Sequence, residues 1–180
     1  MELSLVGTFS LVPQVRGAVN IPVIAAGGIA NGQGVAAALT LGAHAVQIGT
    51  AFVATRESGA PAAHKARLGT AGSRVTRLTR AFTERYARGI ENDLMLSLER
   101  DAEPPLPYPH QHMLTLPLRR AAAAAGLAEG LALWAGQNAV AARTLPAQEL
   151  LRVLVEETDH TLSKSRLSPR AAHHPFEEKS

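Results

Sequence analysis

Two short apolar runs in this 180-residue sequence end in glycine, and those ends are where it has most to offer a ligand. Ile21-Pro22-Val23-Ile24-Ala25-Ala26 runs into Gly27-Gly28, and Ala45-Val46-Gln47-Ile48 runs into Gly49-Thr50. A strand that stops at glycine presents its last amides with no Cβ to hold a ligand away. Side by side, with the start of a helix between them and the Thr50 hydroxyl as a further donor, two such ends suit a phosphate dianion. The pattern Gly28-x-x-x-Gly32-x-Gly34 is not the dinucleotide fingerprint, and no GxxxxGK[ST] occurs, which disfavours a Rossmann dehydrogenase and a nucleoside triphosphate loop. A tight turn with close packing would explain one glycine-terminated strand; two at this spacing are more specific.

Other reactive side chains form weaker patterns. The sequence has no cysteine, so thiolate nucleophiles, thiolate metal sites and disulfides are all excluded. Of the seven histidines, His44 falls between a helix and a strand at the rim away from the glycines, and His64 on a surface helix. His110 and His112 have an i, i+2 spacing but no patterned third ligand, and His173-His174 fall in the tail. Glu156-Glu157 and Glu177-Glu178 are adjacent pairs that cannot share one face of a helix, and read as surface charge. Arg80 and Arg88 lie in a loop from which they can approach an anion, although loop arginines are more often solvated.

The glycine ends need a scaffold, and the pattern between them supplies one. Asn31 is placed to cap a helix from about Gly32 to Leu41, with Gly42 as its stop. Strand, helix, strand is a right-handed parallel crossover, and the apolar run 21–26 reads as a parallel strand covered on both faces. Leu11, Val12, Val15 and Val19 predict a short helix over 7–19, with Pro13 near its start. Further helices are expected over about 61–68 and 91–100, and 74–90 reads as a polar, arginine-rich connection of little periodicity. Pro104-Pro105-Leu106-Pro107-Tyr108-Pro109 cannot be helix interior and divides the chain as a linker. Helices over about 115–125, 128–138 and 146–157 follow, and the stretch 158–180 is expected to be disordered.

Composition bounds the rest. With 46% hydrophobic but only 4% aromatic residues, the core is built from small aliphatic side chains. The 18 Lys+Arg stand against 15 Asp+Glu, a net charge of +3 with no basic cluster, so nucleic acid is not expected as a partner. No run of about 18 apolar residues occurs and the N-terminus lacks a basic leader, so the protein is expected to be soluble and cytoplasmic, without a membrane span.

Ile21-Pro22-Val23-Ile24-Ala25-Ala26-Gly27-Gly28-Ile29-Ala30, followed by Val46-Gln47-Ile48-Gly49-Thr50-Ala51-Phe52, closely resembles the last two barrel strands of the nitronate monooxygenases. Segments 57–62, 78–83, 87–90 and Leu133-Trp134-Ala135-Gly136-Gln137 resemble the same family in the same order, over about residues 8–157. The resemblance implies an α/β fold made of the last two β/α units of a TIM-type FMN barrel, followed by a C-terminal helical region. The barrel is expected to be incomplete, because a full one takes about 250 residues. The expected organisation is a partial FMN-phosphate-binding barrel over 1–103, the linker over 104–109, C-terminal helices over 110–157 and the tail over 158–180.

The resemblance further implies that Gly27, Gly28, Gly49 and Thr50 hold the flavin phosphate with Gln47 close by, and that Trp134, Gly136 and Gln137 lie near the flavin. Its activity would be oxidation of alkyl nitronates by oxygen to a carbonyl compound and nitrite. In the family a Gly-Gly-His segment, whose histidine is the base, lies just before the region resembling 7–19; Met1–Leu5 stands there without a histidine. The catalytic residue is therefore unknown. Glu84 and Tyr86 stand where the family tends to have glycine and proline. The alternatives are a non-catalytic fragment or split subunit that self-associates or meets a partner chain through its strand edges, and an FMN-dependent enoyl reductase relative.

Overall fold

The computed structural model describes residues 6–100 and 103–167, which form seven α-helices, four short strands and single 3-10 turns. Helix α1 (Thr8–Ala18) leads into β1 (Ile24–Ala26), α2 (Gly32–Thr40) and β2 (Ala45–Gln47). β1 and β2 pair in parallel, with Ile24 opposite Ala45 and Ala26 opposite Gln47. Asn31 caps α2 through its side chain, which accepts from Gly34 N at 2.9 Å, and Gly42 ends it at a φ of 99° that residues with a Cβ avoid. The predicted crossover is present.

Its strands are shorter and barer than expected. Each has three residues, and in β1 Ala25 alone is buried, packing with Val12, Ala38 and Ala43, while Ile24 stands 62% exposed. β1 is therefore not covered on both faces. Among the described residues no barrel closes: the sheets are the parallel pair and one antiparallel pair. Pro13 sits inside α1 rather than at its first turn, beside the solvent-exposed residues Phe9 and Leu11.

After β2 the chain forms α3 (Thr50–Val53) and α4 (Ala62–Arg67). The stretch read as a polar connection contains a hairpin of β3 (Thr76–Thr79) and β4 (Ala87–Ile90), with Thr76 opposite Ile90. Its strands are hidden from a hydropathy reading because their arginines are partnered on the surface. Arg77 pairs with Glu91 and Glu99, and Arg88 donates to the Thr76 carbonyl at 2.9 Å. Glu84 turns the hairpin loop at φ 71°, the left-handed conformation that suits the glycine expected there.

Helices α5 (Asp93–Arg100) and α6 (His110–Ala124) follow. Residues 103–109 form a proline-rich strap, and α6 docks on the hairpin loop. Gln111 Nε2 donates to the Ala81 carbonyl at 2.6 Å and Thr115 Oγ1 to that of Phe82 at 2.9 Å.

Residues 128–138 do not form the expected helix, and the reason is competition for their backbone. Buried Asn92 donates to the carbonyls of Ala128 and Leu131 at 3.1 and 2.7 Å. Leu133 and Ala135 then pair with β4, through Ile90 N to Leu133 O at 2.8 Å and Ala135 N to Arg88 O at 3.1 Å. A third extended segment thereby joins the hairpin. Leu133, Ile90, Leu131, Leu68 and Ala139 close the largest core cluster behind it.

Helix α7 (Ala147–Leu167) continues well past Glu157, so 158–167 is helical rather than disordered; 168–180 lie outside the described residues. It seats Leu150 and Leu154 against Ala51 of α3 and runs along α2. Among the described residues no helix is long and apolar enough to cross a membrane.

Candidate functional site

The parallel pairing brings the two glycine ends level, because Ala26 and Gln47 are partners. Gly27 and Gly28 leave β1 at φ 104° and 74°, which glycine adopts without cost. Gly49 caps α3 and Thr50 begins it. A Cβ added at Gly28 or at Gly49 would meet nothing within 4 Å, so the space beside both amides is open. Gly27, Gly28, Gln47 and Gly49 are all solvent-exposed.

A third segment completes the rim. Gly136 N donates to Thr50 Oγ1 at 2.9 Å, and a Cβ on Gly136 would stand 3.5 Å from that oxygen and 3.8 Å from Gly28 N. Gly136 thus stands beside Gly28 and Thr50. Having accepted from Gly136, the Thr50 hydroxyl keeps its own proton for another acceptor. Thr8, at the start of α1, donates to the carbonyl of Gly27 at 3.0 Å and fixes the end of β1 from behind. No spacing links Thr8 to a glycine 19 positions away, so sequence reasoning missed it.

The helix expected to aim at the anion faces elsewhere. Gly32 N, in the first turn of α2, donates to Glu157 Oε2 at 2.8 Å, and Gly34 N is taken by Asn31. A carboxylate of α7 thus already occupies the positive end of α2. Glu157 is not loose surface charge: Arg143 pairs with it at 2.8 Å. The Arg143 hydrogen bond, followed by the Gly32 amide, holds its carboxyl below the usual carboxylate range. Amides at the two strand ends, the Thr50 hydroxyl and an open glycine cradle remain, and their donor chemistry fits a phosphate.

Other singled-out residues have structural partners. Trp134 is half-buried and meets Phe82 edge-on, with ring centroids 5.3 Å apart, while Gln137 is exposed just beyond Gly136. Arg80 pairs with Glu84 and lies over the Tyr86 ring, and Arg88 holds Thr76. His44 Nδ1 accepts from Val23 N at 3.0 Å. His64 is buried rather than on a surface helix, at 7% exposure, and burial pushes its imidazole below the usual value while the nearby Trp134 carbonyl opposes the shift. His112 lies against Arg119, and among the described residues no cluster of three metal-ligating side chains exists. His173, His174, Glu177 and Glu178 lie outside the described residues. A cleft of about 830 Å³ opens between the hairpin, α5 and the proline strap, lined by Arg80, Tyr86 and Gln111 among others; it includes none of the glycine rim.

Comparison with known proteins covers the same elements. The family model for nitronate monooxygenase matches residues 1–157. A nitronate monooxygenase of Pseudomonas aeruginosa is 47% identical over 153 residues, which span 84% of this chain and 44% of that protein. A probable nitronate monooxygenase of Bacillus subtilis is 41% identical over 155 residues, spanning 86% and 45%. Among solved structures, nitroalkane oxidase from Streptomyces ansochromogenes superposes with a TM-score of 0.84 at 51% identity, covering 89% of this chain and 46% of that one. FabK from Thermotoga maritima superposes at 0.76 with 36% identity, covering 91% and 52%. The chain thus spans about half the length of the relatives it matches.

Proposed function

Since the chain belongs to the nitronate monooxygenase family, we propose that its glycine rim holds the phosphate of FMN in an enzyme that oxidises alkyl nitronates. The observation that carries this reading is the junction at which Gly136 N meets Thr50 Oγ1, 2.9 Å apart, with open space beside Gly28 and Gly49. When bound, the flavin supplies the electron acceptor that passes electrons from the nitronate to oxygen, giving a carbonyl compound and nitrite. The residues of this chain bind and orient: the amides of Gly28 and Gly49 and the Thr50 hydroxyl hold the phosphate. Gln47, at the paired end of β2, and Trp134 and Gln137, two residues before and one after Gly136, would contact the rest of the cofactor.

Of the five described histidines, His44 accepts from Val23 N, His64 is buried, and His110, His112 and His160 lie on α6 and α7. The base that removes the substrate proton is assigned to none of them. An FMN-dependent enoyl reductase is the second reading, favoured by the superposition on FabK; the higher identity to nitroalkane oxidase, 51% against 36%, supports the nitronate reading over it. A cytoplasmic location goes with either.

Titration of the isotopically labelled chain with FMN, inorganic phosphate and riboflavin tests the binding reading. FMN and phosphate are expected to shift the amide resonances of Gly28, Gly49, Thr50 and Gly136, and riboflavin, lacking the phosphate, to leave them in place. Shifts confined to other residues, or equal shifts with riboflavin, overturn it.

A further inference from the structure

Helix α4 touches neither glycine end, yet it grips both elements that meet at the rim. On one side the ammonium of Lys65 donates to the carbonyls of Thr55 at 2.9 Å and Arg56 at 3.1 Å, the backbone that leaves α3. Thr55 is only 2% exposed, so water is poorly placed to satisfy its carbonyl in place of that ammonium. On the other side Gly69, at the end of α4 and φ 74°, donates its amide to Ala139 O at 3.1 Å, and any Cβ there would stand 2.6 Å from Ala142 O. Leu68 packs with Leu133, Ala135 and Ala139 in the same cluster, and the buried His64 imidazole lies against the Trp134 carbonyl. The contacts form a closed circuit: α4 to α3, Thr50 to Gly136, Ala139 to Gly69 and back to α4.

Within that circuit α3 is one short helical turn whose backbone hydrogen bonds tie Gly49 and Thr50 to Thr55. Phe52 and Val53 donate to Gly49 O, and Thr55 to Phe52 O. A carbonyl at a helix C-terminus carries partial negative charge, and a lysine ammonium with three donors is suited to hold two of them together.

We propose that Lys65 is a positioning residue for phosphate binding: by holding the Thr55 and Arg56 carbonyls it sets α3 against the 133–142 segment, so that Thr50 Oγ1 accepts from Gly136 N and turns its own proton to the phosphate. The part of this inference that concerns phosphate rests on the FMN reading above; the part that concerns the Thr50–Gly136 junction does not.

The test compares the full chain with its Lys65→Met and Lys65→Arg variants, using Lys65→Gln where Lys65→Met does not fold. Amide hydrogen exchange without flavin reads the junction. Gly136 is expected to lose its protection in Lys65→Met and regain it in Lys65→Arg, while Ile90, bonded to Leu133 O at 2.8 Å, stays protected in all three and reports an intact core. FMN affinity is expected to fall about tenfold in Lys65→Met, the size of effect that loss of a charge-assisted hydrogen bond at a binding element produces, with riboflavin affinity unchanged. Unchanged Gly136 protection in Lys65→Met, or equal weakening of FMN and riboflavin, overturns the proposal. If no form binds FMN, the FMN reading fails and the phosphate part of the proposal with it, and the Gly136 exchange still decides whether Lys65 sets the junction.

Discussion

Gly32→Ala is expected to destabilise the protein by about 2–4 kcal/mol, although alanine in a helix is ordinarily worth about 1 kcal/mol over glycine. The reversal comes from contact with α7. A Cβ at residue 32 would stand 2.3 Å from Glu157 Cβ, 2.4 Å from Thr158 N and 2.6 Å from Glu157 C. Two of those atoms are backbone, so no rotamer relieves the clash and the helices must separate. Separation also breaks the bond from Gly32 N to Glu157, 2.8 Å long, and a hydrogen bond to a charged group contributes about 1.5–3 kcal/mol. Leu150 and Leu154 of α7, at 0% and 4% exposure, would lose part of their cover as well.

Thermal unfolding of wild type and variant measures the loss directly, with a drop of roughly 5–15 °C expected for a chain of this size. Hydrogen exchange should place the damage in α7 and the first turn of α2 and spare the hairpin. The contact also has a pH signature. The Glu157 carboxyl is depressed in the fold by Arg143 and the Gly32 amide, so its stabilisation is present above the ordinary value of 4.5 and disappears as pH falls through the folded value. Gly32→Ala should flatten that acid slope. A variant as stable as wild type, or more stable, would refute the seating of α7 on α2.

His64 carries a titration of the same sign but of another origin, that of a base kept neutral by burial. Its folded value lies below 6.5, so the unfolded chain takes up the proton first and stability falls as pH drops from 6.5 towards the folded value. His64→Gln should remove that part of the dependence in denaturant melts at pH 5 to 7, and an unchanged slope would place the titration elsewhere. Glu84→Gly relieves a left-handed residue at φ 71° at the cost of its pairing with Arg80. The first term is worth about 1–2 kcal/mol and solvent screens the ion pair, so a net gain is expected in thermal unfolding.

The parts of the fold that were legible in the sequence are those written in local chemistry. Asn31 and Gly42 bracket α2 by capping and by positive φ, and Gly27-Gly28 and Gly49-Thr50 mark the two strand ends, so the crossover is readable from single positions. Residues that act across the chain left no local mark. Thr8 reaches Gly27, Glu157 reaches Gly32 and Lys65 reaches Thr55 through folding alone. The hairpin was missed because Arg77 and Arg88 make its strands look like a solvated loop, and 128–138 was read as helix because alanine and leucine favour one when Asn92 and β4 do not compete for the carbonyls. The His64 side chain shows the same limit from the other side: a polar residue on a short helix carries no sign that the helix will be covered.

The addition of residues 133–135 to β4 has a consequence for how this region tolerates change in length. Along that extended segment side chains alternate: Leu133 and Ala135, at 0% and 5% exposure, enter the core, while Trp134 meets Phe82 and Gly136 comes next at Thr50. Loss or gain of a single residue between Leu131 and Trp134 would exchange the two sets, driving tryptophan into space shaped for leucine and bringing a core side chain to the rim. The stretch can therefore accept very few insertions or deletions. Family members that vary in length are expected to place the difference elsewhere, in the turns after α6 or before α7.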